Sequence, residues 1–403
     1  MNTATRRDGA GPLSGYLVVD LSRALAGPHA AMMLGDLGAR VIKVEPPGGG
    51  DDIRAWGPPF VGPEDRPQST YFLAANRNKE SIQLDLKDDA DLRTLKRLIG
   101  RADVLVENYR PGVLDRLGLS GSVLETLNPR LVVLSITGFG HDGPEGSRAG
   151  YDQIAQGEAG LMSVTGPDAD SPTRVGVPVG DILAGLNGAI GVLAALLERQ
   201  LTDQGSVVRT SLLAGLVGAH AFHGTAWTVA RQIGRAGGNH HPQISPYGAF
   251  RCRDGHVQVA IGSQTLWHTL ASILRLDAAD ERFATNAARL RHRDELTKLI
   301  EQRLLTGSRD HWLELFTAAG IPAGALKTID EVYAWAQTRS QNLVVSVRHA
   351  ALGTIELPGP SLRLEDFGGH DIGRHTHEAP PLLGAHRDSI LEWLESGPAS
   401  TRR

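Results

Sequence analysis

Runs of β-branched residues alternate with helical patterns through the first half of this chain, and this alternation restricts the fold more than any other feature. Four runs are typical of buried parallel strands: YLVVDLS (16–22), RVIKVE (40–45), ADVLVEN (102–108) and RLVVLSITG (130–138). Helical segments lie between them at 28–38 and 88–101, and SVVRTSLLAG (206–215) resembles a further strand. This order predicts a doubly wound, Rossmann-like α/β domain. Ligands bind beyond the carboxyl ends of such strands, so Asn108 and Tyr109 are candidate binding residues.

The remainder of the 403 residues indicates a second, smaller α/β domain, because one ordinary core rarely spans such a length. The segment GRAGGNHHPQISPYGAF is rich in Gly and Pro and marks a boundary. The chain ends in an amphipathic pattern predicted to return to the first domain. The predicted division is a flexible tail (1–14), a large domain (15–225), a small domain (226–330) and a returning C-terminal segment (331–403).

Composition limits the partners and the compartment. The chain has 41 basic and 45 acidic residues, a net charge of −4, which argues against nucleic-acid binding. A single cysteine, Cys252, rules out intrachain disulfides and favours the cytoplasm. The N-terminus lacks the apolar segment of a secretory signal. The longest apolar helical run, 182–197, is shorter than about 18 residues, so we expect a buried helix and no membrane association.

Two other motifs give weaker signals. GFGHDG (138–143) matches the dinucleotide-binding pattern, but Pro144 and Gly146 follow where a helix should open. The histidines of HAFH (220–223) have no acidic neighbour in their helix, which favours a structural role over metal binding. We therefore predict no metal site and no permanently bound cofactor.

Asp181 is the most informative single residue, because it stands between two runs of small and apolar residues in RVGVPVGDILAGLNGAI (174–190). Asp is a preferred N-cap, and the apolar helix behind it needs one. A helix N-terminus also keeps a carboxylate ionised and able to attack. The glycines Gly176, Gly180 and Gly185 would let a substrate approach closely. The pattern alone leaves the cap and the nucleophile both open.

Eight segments, in order across nearly the whole chain, resemble the class III CoA transferases, the family of formyl-CoA and carnitine CoA transferases. They are VDLSRALAGP (19–28), GDLGARVIKVEPPGGGDD (35–52), NRNKESIQLDLK (76–87), ADVLVENYRPGVLDRLGL (102–119), LNPRLVVLSITGFG (127–140), AGYDQIAQGEAGLMSVTG (149–166), the Asp181 segment and PPLLGAHRD (380–388). GDDIRAWGPPFVG (50–62) is similar to the branch that exchanges CoA among dicarboxylic acids such as succinate and hydroxymethylglutarate.

The resemblance implies that Asp181 is the nucleophile of a CoA transferase. Its carboxylate would attack the donor thioester, succinyl-CoA or another dicarboxylyl-CoA, to form an aspartyl anhydride and then an aspartyl-CoA thioester. A small carboxylic acid would accept the CoA. CoA is thus a substrate, and the family's interlocked homodimer is the implied assembly.

The resemblance also implies a CoA site. Its positions are Leu25, Ala26, Leu84, Asp85, Leu86, Lys87, Asn108, Tyr109, Arg110 and Arg116. Lys87 and Arg116 would bind the nucleotide phosphates, and the backbone at Leu84 would hold the adenine edge. Some relatives carry basic residues where this chain has Pro46 and Ala149.

Four further residues are implied to line the thioester pocket: Tyr151, Asp152, Gly237 and Gly238. The related α-methylacyl-CoA racemases carry a His where this chain has Tyr151, so two-base proton exchange would lack one base. Racemisation and non-catalytic acyl-CoA binding are the alternatives to CoA transfer. Arg54, Arg174 and His241 are candidate partners for a distal substrate carboxylate.

Overall fold

The computed structural model describes residues 9–396. The first eight residues of the predicted flexible tail lie outside this range. The strands are β1 (Leu17–Asp20), β2 (Arg40–Glu45), β3 (Phe60–Val61), β4 (Gln68–Ser69), β5 (Lys79–Gln83), β6 (Val104–Glu107), β7 (Val132–Thr137), β8 (Ser206–Ser211), β9 (Tyr247–Cys252), β10 (Gly255–Ala260), β11 (Ala323–Ala325), β12 (Val344–His349) and β13 (Gly353–Pro358).

Helices connect most of these strands. They are α1 (Ala26–Asp36), α2 (Thr70–Ala75), α3 (Asp89–Arg101), α4 (Val113–Arg116), α5 (Gly121–Leu127), α6 (Asp152–Glu158), α7 (Val179–Thr202), α8 (Leu212–Gly218), α9 (Ala221–Ala230), α10 (Gln264–Leu274), α11 (Asn286–Arg291), α12 (Arg293–Leu304), α13 (Arg309–Ala318), α14 (Ile329–Ala334), α15 (Ala336–Ser340) and α16 (Arg387–Glu395). Two short 3-10 helices lie at Asp52–Ala55 and Leu161–Val164.

The main sheet has six parallel strands in the order β5-β2-β1-β6-β7-β8. Counted along the chain this order is 3-2-1-4-5-6, which is the doubly wound arrangement, so the predicted α/β fold is confirmed for this sheet. Its central strands are buried on both faces because helices cover them. Their sequences are therefore nearly continuous apolar runs. The winding reverses between β1 and β6, and ligands bind at such a point.

One strand of this sheet was not predicted. The sequence of β5, KESIQ, has only one apolar residue, Ile82, so it lacks the pattern of a buried strand. Within the fold, the ammonium group of Lys79 lies 2.9 Å from the Asp20 carboxylate at the end of β1. A tertiary ion pair therefore lets a charged residue occupy a fully buried strand position.

Helix α7 has 24 residues and contains the whole apolar run 182–197. It packs on β7, β8 and α1. Within residues 9–396, α7 alone is long and apolar enough to cross a membrane by length and composition, a test that the core helix of a soluble protein also passes. One face is buried, and the other carries four exposed apolar side chains, which we call the α7 stripe: Leu186, Ile190, Leu197 and Leu201.

The chain divides into two compact units. Among the described residues, unit 1 comprises 9–159, 175–225 and 336–396 and holds the main sheet. Helix α16 packs against β5 in this unit. Unit 2 comprises 160–174 and 226–335 and contains the sheet β11-β10-β9. The core of unit 2 includes the buried side chains of Trp267, Phe250 and Phe316.

Candidate active site

Asp181 is the third residue of α7, in the first turn of the helix. Pro178 precedes the first helical residue and makes no side-chain cap, so the interpretation of Asp181 as the N-cap is wrong. The helix begins three residues earlier than an N-cap at Asp181 would place it. The Asp181 side chain is therefore not needed for capping, and its carboxylate remains available for chemistry.

Asp152, the first residue of α6, caps α7 instead. Its Oδ1 accepts hydrogen bonds from the backbone amides of Gly180 (2.7 Å) and Asp181 (3.3 Å). Its Oδ2 accepts a hydrogen bond from Gln156 Nε2 at 2.7 Å. The side chain of Asp152 is buried. A buried carboxylate from one helix thus occupies the free amide groups at the start of another, where the helix dipole stabilises negative charge.

The pKa of Asp181 is raised from its ordinary value of 3.8 to about 7. Burial is the larger cause, since a carboxylate loses hydration there, and the negative charge of Asp152 adds to it. The sequence predicted that the helix N-terminus would keep Asp181 ionised. The structure shows the opposite direction, because burial and the negative charge of Asp152 outweigh the effect of the helix N-terminus.

Three aromatic side chains stand near these carboxylates. Burial raises the pKa of Tyr71, and the charges of Asp181 and Asp152 raise it further, so its phenol group lies within their field. The ring of Trp56 lies 5.2 Å from that of Tyr71 and 6.4 Å from that of Tyr151. Together the three rings form an aromatic wall, with Tyr151 65% exposed.

Sequence reasoning named Tyr151 but missed Trp56 and Tyr71. Trp56 stands inside the segment 50–62 used for the dicarboxylate resemblance, and that segment was the signal that could have found it. Tyr71 lies on the six-residue helix α2, which is too short to give a periodic pattern. Its role depends on tertiary packing that the local sequence does not carry.

Arg54, a candidate partner for a distal substrate carboxylate, already has a protein partner. Its guanidinium group donates two hydrogen bonds to Glu45, at 2.7 and 2.8 Å. It also lies over the ring of Phe72 at 3.6 Å. This bidentate pair fixes the segment that carries Trp56. In this structure Arg54 therefore helps to position one ring of the aromatic wall.

A half-buried aspartate with a raised pKa could serve several types of reaction. Comparison with known proteins indicates which type applies. The model of CoA-transferase family III matches residues 13–387. This chain belongs to CoA-transferase family III. The predicted resemblance and the predicted enzyme class are thereby confirmed.

Curated relatives and a solved structure match this CoA-transferase over nearly its whole length. Succinyl-CoA:glutarate CoA-transferase of Mus musculus is 39% identical over 96% of this chain and 87% of its own. Succinate--glutarate CoA-transferase of Agrobacterium fabrum is 38% identical over 96% of both chains. A crystal structure of a CAIB/BAIF family protein from Brucella suis has a TM-score of 0.86 and 36% identity, covering 96% of this chain and all of that one.

The predicted CoA-binding positions of this CoA-transferase follow three strands of the main sheet. Leu25 and Ala26 follow β1, residues 84–87 follow β5, and residues 108–116 follow β6. Two strands separate β5 from β6, so these segments are about 14 Å apart at the usual strand spacing. Only an extended ligand could contact all three segments, and CoA is extended.

Some of these residues are used within the protein. The side-chain amide of Asn108 pairs with the backbone of Arg23, at 2.8 and 2.7 Å, and so joins the loops after β1 and β6. Leu84 is buried, and its N–H donates to Glu45 O at 2.9 Å. The predicted adenine contact is therefore restricted to other backbone groups near Leu84. The basic candidates Lys87, Arg110 and Arg116 are exposed, as phosphate ligands must be.

Asp85, Leu86 and Tyr109 complete the predicted set. The Asp85 carboxylate accepts a hydrogen bond from the Lys87 amide at 3.0 Å, which closes the turn after β5, and Leu86 packs on the core beneath it. Tyr109 also packs on this core, and its amide donates to Glu107 at 2.8 Å. Burial raises the pKa of the Glu107 carboxyl group. A local hydrogen bond with core packing thus fixes the backbone of one predicted CoA-binding loop, and the buried Glu107 carboxyl group fixes that of the other.

Gly237 and Gly238 belong to unit 2. Gly238 has a φ of +65°, and its N–H donates to Gly166 O at 2.9 Å. A side chain at Gly237 would meet no atom within 4 Å. Their assignment to the thioester pocket stays a prediction.

Proposed function

We propose that this CoA-transferase moves CoA from succinyl-CoA or a similar dicarboxylyl-CoA to a small dicarboxylic acid, with Asp181 as the nucleophile. The observation that carries the proposal is the half-buried Asp181 carboxylate with its pKa near 7, at the carboxyl-end face of a doubly wound sheet. The names of the mouse and Agrobacterium relatives support succinate and glutarate as the first substrates to test.

In the first half-reaction, ionised Asp181 attacks the thioester carbonyl carbon of the donor. The carbon–sulfur bond breaks, CoA leaves as a thiolate, and a mixed anhydride forms between Asp181 and the succinyl group. The thiolate then attacks the aspartyl carbonyl of this anhydride. Succinate leaves, and CoA is held as a thioester on Asp181.

The second half-reaction repeats these steps in reverse order with the acceptor. The acceptor carboxylate attacks the aspartyl thioester and displaces the CoA thiolate, which gives a new anhydride. The thiolate attacks the acceptor's carbonyl carbon, forms the new acyl-CoA and releases the Asp181 carboxylate. Each step exchanges one activated acyl bond for another, so the thioester energy is kept without ATP or a metal ion.

The surroundings of Asp181 suit this chemistry. Anhydrides hydrolyse readily, and the burial that raises the pKa of Asp181 also limits the access of water to its carboxyl group. A carboxylate with a pKa near 7 is more basic than an ordinary one and hence a better nucleophile. At neutral pH a substantial fraction remains ionised and able to attack.

A CoA-exchange assay tests this function. Purified protein with succinyl-CoA and glutarate should produce glutaryl-CoA and succinate in equal amounts, and Asp181→Asn should abolish the exchange. Oxalate and acetate in place of glutarate test the preference for longer dicarboxylates. Substantial exchange by Asp181→Asn would overturn the nucleophile, and incorporation of solvent deuterium at an α-carbon without an acceptor would indicate racemisation instead.

We also propose that the protein is a homodimer in which a second copy covers the α7 stripe. Leu201 is 85% exposed and Leu197 65%, on one face of a long apolar helix. Exposed apolar patches of this kind mark interaction sites in soluble proteins. The homodimer implied by the family resemblance supports a second copy of this chain as the occupant.

A further inference from the structure

Gln156 connects Asp152 to the segment that leads into α7. Its side chain is fully buried on α6. Its Nε2 donates to Asp152 Oδ2 at 2.7 Å and to Val177 O at 3.3 Å, and its Oε1 accepts from the Val175 amide at 2.8 Å. A single carboxamide therefore fixes two backbone groups of 175–177 and one oxygen of the Asp152 carboxylate.

Asp152 fixes the next part of the same segment through the amides of Gly180 and Asp181. The approach is close: a Cβ added to Gly180 would lie 3.0 Å from Asp152 Oδ1 and 3.1 Å from Leu216. A side chain at this position would therefore push the Asp152 carboxylate or Leu216 away by a few tenths of an ångström. Helix α6 holds the chain from Val175 to Asp181 through two side chains that lie one helical turn apart.

We infer that Asp152 and Gln156 are positioning residues that set both the place and the electrostatic environment in which the Asp181 carboxylate reacts. This inference rests on the proposed role of Asp181 as the nucleophile. The sequence around Asp181 does not indicate the positioning role of Asp152 and Gln156, because α6 lies more than twenty residues upstream.

The electrostatic argument concerns how the charge on Asp181 changes during the reaction. The charges of Asp152 and ionised Asp181 repel each other, and this repulsion is absent when Asp181 is an anhydride or a thioester, because neither carries a charge at that carboxyl group. Asp152 therefore raises the energy of the free nucleophile relative to the acylated enzyme. Gln156 satisfies the second oxygen of Asp152 and so allows that charge to remain buried.

Few other charges act on Asp181 from the elements packed on α7. Helix α8 and strand β7 carry no titratable side chain. Tyr71 of α2 lies in the field of both carboxylates. The remaining titratable groups on these elements are His29 and Asp36 of α1, Asp152 and Glu158 of α6, and Arg209 of β8.

The test compares pH profiles of kcat/KM for exchange between succinyl-CoA and glutarate. In wild type the acid limb should lie near pH 7, the pKa of Asp181. In Asp152→Asn it should move down by about 1 pH unit, because the repelling charge is gone. The amide group introduced at position 152 would face the Gln156 amide, donor against donor, so kcat should also fall by about tenfold.

The double variant Asp152→Asn/Gln156→Glu separates position from charge. A carboxylate at position 156 accepts hydrogen bonds from both the new amide at position 152 and the Val175 amide, which repairs the network. The negative charge then lies at position 156, one helical turn away from position 152. Position 152, which contacts the Asp181 amide, is left without a charge. We expect kcat to recover to within about threefold of wild type, while the acid limb stays below the wild-type value.

Glu158→Gln is the matched control, because it removes one negative charge from the same helix at an exposed site paired with Arg148. It should leave the limb unchanged. If Asp152→Asn does not fold, Asp152→Ser keeps an acceptor for the Gly180 amide without the charge and gives the same test. The inference is overturned if the acid limb does not move in the folded variant while Asp181→Asn is inactive. Activity of Asp181→Asn would instead overturn the proposed function.

Discussion

The carboxylate of Asp152 accepts a hydrogen bond from the backbone amide of Asp181, so the residue that caps the helix is also the nearest negative charge to the proposed nucleophile. The same contact stabilises the helix and destabilises the charge on Asp181. Burial, with the negative charge of Asp152 as the second cause, raises the pKa of Asp181 to about 7, although the helix dipole alone would lower it.

Asp181→Asn should stabilise the fold at neutral and higher pH. The folded-state pKa of Asp181 is about 7 against an ordinary value of 3.8, so between these two pH values the folded protein binds more protons than the unfolded chain. Its free energy of unfolding therefore falls as pH rises from about 4 to 7. The variant lacks this loss and should exceed wild type by on the order of 2 kcal/mol at pH 8.

Urea unfolding at pH 5 and pH 8 measures the difference. The advantage of Asp181→Asn should be small at pH 5 and larger at pH 8. Glu125→Gln, at an exposed acid of α5, should show no such change. An advantage independent of pH would contradict the raised pKa.

Asp20 should be essential for stability. Burial alone would raise the pKa of Asp20, but the ammonium groups of Lys79 and Lys43, with the Ser22 hydroxyl, more than offset this and lower it. Asp20→Asn would leave two buried ammonium groups with less compensating charge. The expected loss is about 3–5 kcal/mol, measured by urea unfolding at pH 7.

The Arg40–Glu80 pair provides the control on neighbouring strands of the same sheet. Arg40 donates two hydrogen bonds to Glu80, at 2.6 and 2.8 Å, but both side chains are only partly buried. Glu80→Gln should therefore cost less than about 1 kcal/mol. Equal losses in the two variants would show that the Asp20 network has no special role.

Gly185→Ala should impair CoA binding. A Cβ at this position would lie 2.7 Å from the carbonyl oxygen of Ala26, a backbone atom that a side-chain rotation cannot move away. Gly185 was predicted to leave room for substrate, whereas in the structure it lets α7 pack closely against the first residue of α1, Ala26. We expect a loss of about 1–3 kcal/mol in stability and a higher KM for succinyl-CoA.

Gly218→Ala is the matched substitution, because a Cβ there meets nothing within 4 Å and alanine favours a helix. It should leave both stability and KM near the wild-type values. An unchanged KM in Gly185→Ala would show that the backbone at Ala26 does not contribute to CoA binding.

A charge on the α7 stripe should dissociate the proposed dimer. In Leu197→Glu, a carboxylate would lose its hydration inside an apolar interface, and the expected weakening is at least about tenfold in the dimer dissociation constant. Analytical ultracentrifugation measures it. Gln200→Glu, at the edge of the same face, should weaken association much less. A wild-type monomer at micromolar concentration would contradict the dimer.

The parallel sheet was predictable because buried strands carry their own signal. The runs at 40–45 and 130–138 are rich in β-branched and apolar residues, and both coincide with strands. Strand β5 was not predicted because its buried lysine, Lys79, is neutralised by Asp20, a residue nearly sixty positions away. Local patterns do not report such pairs.

The site was predictable in part, for the same reason. The segment around Asp181 has a distinct composition, so the residue could be singled out. The pKa of Asp181 could not be predicted, because it depends on burial in the folded protein and on the charge of Asp152 from another helix. The resemblance placed Asp152 in the pocket, but only the structure shows that it takes the amides of α7.

The covalent state of Asp181 during turnover is the most direct test of this account. The protein is incubated with succinyl-CoA, treated with hydroxylamine, digested and analysed by mass spectrometry, because hydroxylamine converts an aspartyl anhydride or thioester into a hydroxamate. We predict the hydroxamate on Asp181 and on no other acid of the protein, dependent on succinyl-CoA. Full CoA exchange by protein that never carries the hydroxamate on Asp181 would contradict the covalent mechanism.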